Sequence, residues 1–197
     1  MRREAAPGRL RAVEDLCNTA NRIRELDILG EPRSAQAWAK RYGAGRRLGV
    51  ADLEAVVAAR EAIRAFLSDR GDSGARANVN RLAAATFGAP AIGINGELTF
   101  PHDPDDVVAT LVAPALRALL RDGLTGDGER LKACTAPDCR WIFFDRSRAS
   151  NSRWCDMDVC GARHKMRRYR ARKSSAELSP VTDGSDPHTL SLPASEP

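Results

Sequence analysis

Four of the chain's five cysteines, Cys134, Cys139, Cys155 and Cys160, fall within 27 consecutive residues, spaced C-x4-C, fifteen residues, C-x4-C. Paired thiolates at two such knuckles suit Zn2+, which accepts four soft sulfur ligands in a tetrahedron without any d-electron preference. The pattern predicts one structural Zn2+ with no coordination position left for water, so hydrolytic chemistry at the metal is not expected. Two disulfides are the competing arrangement, and they require an oxidising compartment. Met1-Arg2-Arg3-Glu4 is basic, but no apolar segment follows before the charged stretch 9–14. Neither a secretory nor a twin-arginine leader is read there, and no run is apolar enough to span a bilayer. The expectation is a cytoplasmic protein with reduced thiols and no membrane partner. His164 follows the last cysteine by four residues and, with four thiolates available, is not counted as a ligand.

The charge distribution points to what this metal module would meet. The net charge is +5, but residues 134–173 carry eleven Lys/Arg against four Asp/Glu, or +7. Residues 174–197 carry −4 and residues 1–133 carry +2. From Gly161 to Lys173 there are seven cations and no acid. Like charges along one helix repel unless a polyanion compensates them, so nucleic acid is the expected partner. The candidate contacts on the helix are Arg163, Lys165, Arg167, Arg168, Arg170 and Arg172. The polar loop 146–153 adds Arg146, Arg148 and Arg153, suited to phosphate oxygens. Lys132, Arg140, Arg153 and Arg163 also lie close in sequence to the sulfurs, where cations can offset the −2 charge of a four-thiolate zinc site.

Between these residues the spacing predicts a short strand over 129–133, a returning strand over 140–145, and a helix capped by Asp156. Val159, Ala162, Met166 and Tyr169 form a narrow stripe expected to pack on the module. Five of the ten aromatic residues lie here, and most are read as core, since so small a module needs bulky rings beside its metal.

The preceding residues are mostly helical in pattern. Apolar residues recur at three- and four-residue steps over 10–26, with Cys17 as a small buried hydrophobe on that stripe. A short helix capped by Ser34 carries Trp38 as a core anchor, and longer helices are predicted over 52–69 and 76–87. Two β-prone runs flank Asn95-Gly96 and predict a type I′ hairpin resting on the helices. A helix over 104–121 contains Pro114, which should kink or split it. Residues 123–128 read as a linker. The fold class is therefore α+β and mainly α: a helical domain with a small hairpin over 1–125, a small treble-clef-like zinc module over 126–173, and a disordered tail over 174–197. The first domain shows no catalytic signature, so no enzyme activity is expected. Asn18 and Thr19, polar residues beside the first stripe, are candidate ligand contacts, although bonding to buried backbone is the role their sequence context favours.

The run Cys139-Arg140-Trp141-Ile142-Phe143-Phe144-Asp145-Arg146-Ser147-Arg148, followed by Arg153-Trp154-Cys155 and Cys160-Gly161-Ala162-Arg163, resembles the CGNR zinc finger. Ala162 stands where the family name places asparagine. The segment before it resembles the ABATE domain, regarded as stress-sensing, with Asn18-Thr19 similar to an early Asn-Thr motif. The resemblance implies a transcription regulator whose finger binds double-stranded DNA and whose N-terminal domain senses a small-molecule effector or forms a homodimer. An RNA-binding module and an enzyme acting through the first domain are the alternatives.

Overall fold

The computed structural model describes residues 3–177. One compact unit extends to Ala162, and a second begins at Arg163. The first unit is mostly helical with three two-stranded antiparallel pairs. In chain order it comprises α1 (Arg11–Cys17), β1 (Ala20–Asn21), β2 (Leu26–Asp27), α2 (Pro32–Arg41), α3 (Val50–Ser68) and α4 (Ser73–Thr86). These are followed by β3 (Ala91–Ile92), β4 (Leu98–Thr99), α5 (Val107–Thr125), β5 (Leu131–Ala133) and β6 (Ile142–Phe144). Helix α6 (Ala162–Glu177) forms the described part of the second unit. It continues past Lys173, so residues 174–177 of the stretch expected to be disordered are helical, and the rest of that stretch, 178–197, lies outside the described residues.

Helix α5 packs against α1, α3 and α4. Val107, Leu111, Val112, Ala115 and Leu116 bury one side of it, facing Val13, Leu16, Val56 and Ile63 within a single core. Pro114 sits inside this helix without splitting it. The same helix runs to Thr125, into the stretch expected to be a linker. Helix α2 starts at Pro32, and its cap is Glu31 rather than Ser34: the Glu31 carboxylate accepts from the Arg33 and Ser34 amides. Proline at the first helical position lacks an N–H that would have no partner there anyway.

Further local expectations change. The helix over 10–26 ends at Cys17, where Thr19 folds back on the last turn and its neighbours on either side are drawn to other strands. Asn18 turns its amide to β6, Thr19 Oγ1 donates to the Leu16 carbonyl at 2.8 Å, and Ala20–Asn21 pair with Leu26–Asp27. The Asn95-Gly96 hairpin forms, with Ile92 opposite Leu98, but Gly96 alone there takes left-handed backbone, so the turn is not type I′. That type needs positive φ at both central residues. The hairpin meets α5 where Arg121 donates to the Leu98 carbonyl, while its tip stands out, with Ile94 99% exposed.

β6 pairs with β5 in register Leu131↔Phe144, Lys132↔Phe143 and Ala133↔Ile142. Its side chains alternate between two cores, as strand geometry requires. Ile142 and Phe144 join the helical core, while Phe143 joins Cys134, Cys139 and Cys160 on the opposite face. The outer edge of β6 is closed by α1. Glu14 Oε1 accepts from the Phe144 amide at 2.9 Å. Asn18 accepts from the Ile142 amide at 2.9 Å and donates to the Ile142 carbonyl at 2.8 Å. Residues four apart on a helix rise about 6 Å, close to the roughly 6.6 Å between alternate residues of a strand, so the two side chains match the two edge positions. Burial pushes the Glu14 carboxyl up, against the hydrogen bonds from Ala6 and Phe144 that favour its charge.

Asn18→Ala should leave both edge groups of Ile142 unpaired and cost about 1–3 kcal/mol. Urea unfolding of the metal-loaded chain should show a lower midpoint at unchanged slope; an unaltered midpoint would mean that this edge carries no stability.

Candidate metal centre

The four candidate sulfurs lie within 4.8 Å of one another. Cys139 Sγ and Cys155 Sγ are 3.6 Å apart, as are Cys155 Sγ and Cys160 Sγ. A tetrahedron with Zn–S bonds of about 2.3 Å has edges of about 3.8 Å, so the cage fits one structural zinc ion. These separations are far beyond a disulfide bond of about 2.05 Å, and all five thiols are free. Cys134, Cys139 and Cys160 are buried, and Cys155 is half-buried. Cys17 lies away from this group in the helical core, and burial pushes its thiol up to about 12, leaving it an inert hydrophobe.

Each knuckle is shaped by its own backbone. Cys134 extends β5 by donating its amide to the Trp141 carbonyl. The Cys139 amide closes a turn on the Ala136 carbonyl, and Arg140 adopts left-handed backbone at φ 55° to start the returning strand. On the other side, the Asp156 carboxylate caps the turn Met157–Gly161 through the Asp158 and Val159 amides. That turn is a π-type turn, with Gly161 bonded five residues back to Asp156. The Thr135 amide and hydroxyl both donate to the Arg153 carbonyl, which ties the two knuckles together.

The sulfurs draw on backbone dipoles. Sulfur contacts from Cys139 and Cys155, then the Cys155 and Ala136 amides, hold the Cys134 thiol low, while contact with Cys134 pushes Cys155 up. A bound ion resolves that conflict by favouring the thiolate at all four positions. Lys132 and Arg153, two of the cations expected to support the sulfurs, are engaged elsewhere: Lys132 on Asp145 and the Ser150 carbonyl, Arg153 over the Trp154 ring. Arg3, which no sequence pattern singles out, comes to the site instead. Its Nε donates to the Cys155 carbonyl and its Nη2 to the Trp154 carbonyl, both at 3.0 Å, with its guanidinium 4.6 Å from the Phe143 ring centre. An arginine in a basic N-terminal run carries nothing local that marks it for this task.

Asp145 organises the loop over 146–153. Its side chain is 0% exposed. It accepts from Lys132 Nζ at 2.9 Å, the Ser147 amide at 3.0 Å, and the Ser152 amide and hydroxyl at 2.8 Å. Burial alone would raise its pKa, but these donors outweigh it and hold the carboxyl far below the ordinary carboxylate range. Of the three loop arginines named as nucleic-acid contacts, Arg146 is tied to the N-terminal arm, donating to the Ala5 carbonyl and pairing with Glu4. Arg153 lies over Trp154, and Arg148 is exposed without a partner among the described residues.

In α6, the side chains of Arg163, Lys165, Arg167, Arg168, Arg170 and Arg172 are exposed. The apolar stripe expected to pack is exposed too, with Met166 at 52% and Tyr169 at 58%. Of that stripe, Val159 lies in the π-type turn, outside the 3.6-residue register that Ala162, Met166 and Tyr169 keep within α6. Asn18 and Thr19 are taken up by structure: Asn18 by β6, and Thr19 by Leu16 and by Arg60 Nη1 at 3.1 Å.

Comparison with known families returns two matches. The CGNR zinc finger matches residues 130–173. ABATE, described as "Putative stress-induced transcription regulator", matches residues 10–127. No curated protein matches the chain. No helix among the described residues is long and apolar enough to cross a membrane.

The chain should bind one zinc per molecule, with an apparent free energy on the order of 10–16 kcal/mol at neutral pH. Cys139→Ser should lose that ion by metal analysis; full occupancy in the variant would remove Cys139 from the cage. Asp145→Asn should cost about 3–5 kcal/mol at pH 7 by denaturant titration, because it leaves Lys132 without its buried partner. The depressed folded-state pKa makes this contribution fully present above about pH 4 and lost only in stronger acid. A loss under about 1 kcal/mol, the scale of an exposed ion pair, would mean that the loop does not depend on this carboxylate.

Proposed function

The chain belongs to the ABATE family and carries a CGNR zinc finger, and on that premise we propose that it regulates transcription by zinc-dependent binding of double-stranded DNA. The carrying observation is the concentration of cations next to the cage in the sequence: Arg148 is exposed on the loop, and seven Lys/Arg with no acid occupy Gly161 to Lys173. Zinc organises this segment and is not itself a reaction centre. Four thiolates fill its coordination sphere, so its contribution is folding energy and shape. The cations neutralise phosphates and release counterions, which supplies affinity without sequence preference. Sequence choice then falls to the few side chains that reach base edges.

In this reading the helical part senses a small molecule, and the protein acts by binding rather than catalysis. Work on DNA with four reduced thiols would suit the cytoplasm, where thiols stay reduced. The contacts between α1 and β6 favour coupling between the two parts, since α1 supplies the hydrogen bonds that complete the finger's outer strand.

Selection of bound sequences from random duplex DNA with the zinc-loaded protein should enrich a short motif. Preferential capture of structured RNA in competition would overturn the DNA assignment. Replacing Arg167 and Arg168 together by Ala should reduce the salt dependence of binding, by about 0.9 units of log–log slope for each phosphate no longer neutralised. An unchanged slope would place the binding surface elsewhere.

A further inference from the structure

Between the β1–β2 hairpin and α3 lies a cleft of about 420 Å³. Its wall contains a charge cluster that the finger does not use. Three guanidinium groups converge there on one carboxylate. Glu61 Oε1 accepts from Arg60 Nε at 2.9 Å and Arg64 Nη1 at 3.3 Å, and Oε2 accepts from Arg22 Nη2 at 3.3 Å. Asp27 pairs with Arg60 through both oxygens, at 2.7 and 2.8 Å. Three cations thus share two carboxylates. Glu25, exposed at the rim, donates its amide to the Arg22 carbonyl, and its carboxylate pairs with none of the three guanidiniums among the described residues.

The surplus lies in the least exposed of them. Arg64 is 1% exposed, yet only two of its nitrogens have partners: Nη1 on Glu61, and Nη2 on the Ala20 carbonyl at 2.7 Å. Its Nε is buried with no partner among the described residues. Burial lowers its pKa, the sign of a cation short of compensation. The Arg60–Asp27 pair already fastens the hairpin to α3, and the Ala20 carbonyl takes one of the Arg64 nitrogens, which leaves the buried Nε as donor capacity that the fold does not use. A buried, under-bonded guanidinium bordering a cleft is the arrangement that receives a planar carboxylate or a phosphate. The volume is at the small end of ligand pockets, which fits one metabolite-sized molecule.

We infer that this cleft is a binding site for a small organic anion, held through a carboxylate or phosphate group by Arg22, Arg60 and Arg64. The inference deepens the sensing half of the function given above and does not depend on what the finger binds. The geometry also carries the site toward the finger: Thr19 accepts from Arg60 and Ala20 accepts from Arg64, while the preceding residue, Asn18, holds β6.

The test is calorimetric titration of the full zinc-loaded chain with inorganic phosphate and, separately, with succinate, at fixed ionic strength balanced by chloride. The Arg Nε–H region of 15N spectra is followed alongside. Saturable binding of one probe at one site per chain, with a shift of one buried Arg Nε–H signal, is expected. Whichever probe saturates identifies the anionic group. Arg22→Ala should weaken binding at least tenfold, as should Arg64→Lys. The double replacement of Arg167 and Arg168 by Ala should leave it unchanged. Arg22 is partly exposed, so its variant decides the matter if Arg64→Lys unfolds. Absence of saturable binding by either probe, undiminished affinity in Arg22→Ala, or weakening that follows the Arg167/Arg168 variant would overturn the inference. DNA binding is measured on the same samples, so failure of the cleft and failure of the finger are read separately.

Discussion

β6 is three residues long and has to satisfy two cores at once. Its side chains alternate, so Phe143 lies with the sulfur cage while Ile142 and Phe144 enter the helical core. Its backbone is divided in the same way, with one edge on β5 and the other on the side chains of Glu14 and Asn18. A metal module of this size buries little apolar surface of its own. Placing one face of its hairpin in a larger core removes that shortage. It also makes the outer strand depend on α1 for its hydrogen bonds. The zinc-bearing strands and the helical part are consequently one packed body as far as Ala162.

Electrostatics divide the cations of the metal segment into two groups. Lys132, Arg130 and Arg3 are structural. Arg130 donates to the Asp145 and Ser147 carbonyls, Lys132 neutralises Asp145, and Arg3 caps carbonyls beside Cys155. Together with Asp145 they set the path of the loop that presents Arg148. The exposed cations of α6 form the second group, and no acid stands among them from Gly161 to Lys173. Charge concentrated on one segment is an argument about partners and encounter rather than about fold.

The cage was legible because zinc ligation imposes a spacing that chemistry alone explains. Helices α3, α4 and α5 were legible because apolar periodicity over fourteen or more residues outweighs local noise. Other features escaped for identifiable reasons. Arg60 and Arg64 lie on the same face of α3 as Val56, Ile63 and Leu67, so they stand at positions that the period assigns to the core. Charge argued for solvent, and only partners some forty residues away in the chain make their burial possible. The end of α1 at Cys17 was hidden in the same way, because the residues after it are drawn off by β6 and by the β1–β2 pairing.

The sequence by itself determined the metal, its four ligands, the excess of positive charge beside them and the helical character of the first half. Each of these depends on residue type and short-range spacing. The tertiary structure alone decided that α1 completes the outer edge of the finger, that Arg3 reaches the cage, and that three guanidiniums meet on Glu61. Arg22 and Glu61 are 39 positions apart and Arg3 and Cys155 are 152 apart, and nothing local in the chain encodes which distant group a buried polar atom will meet.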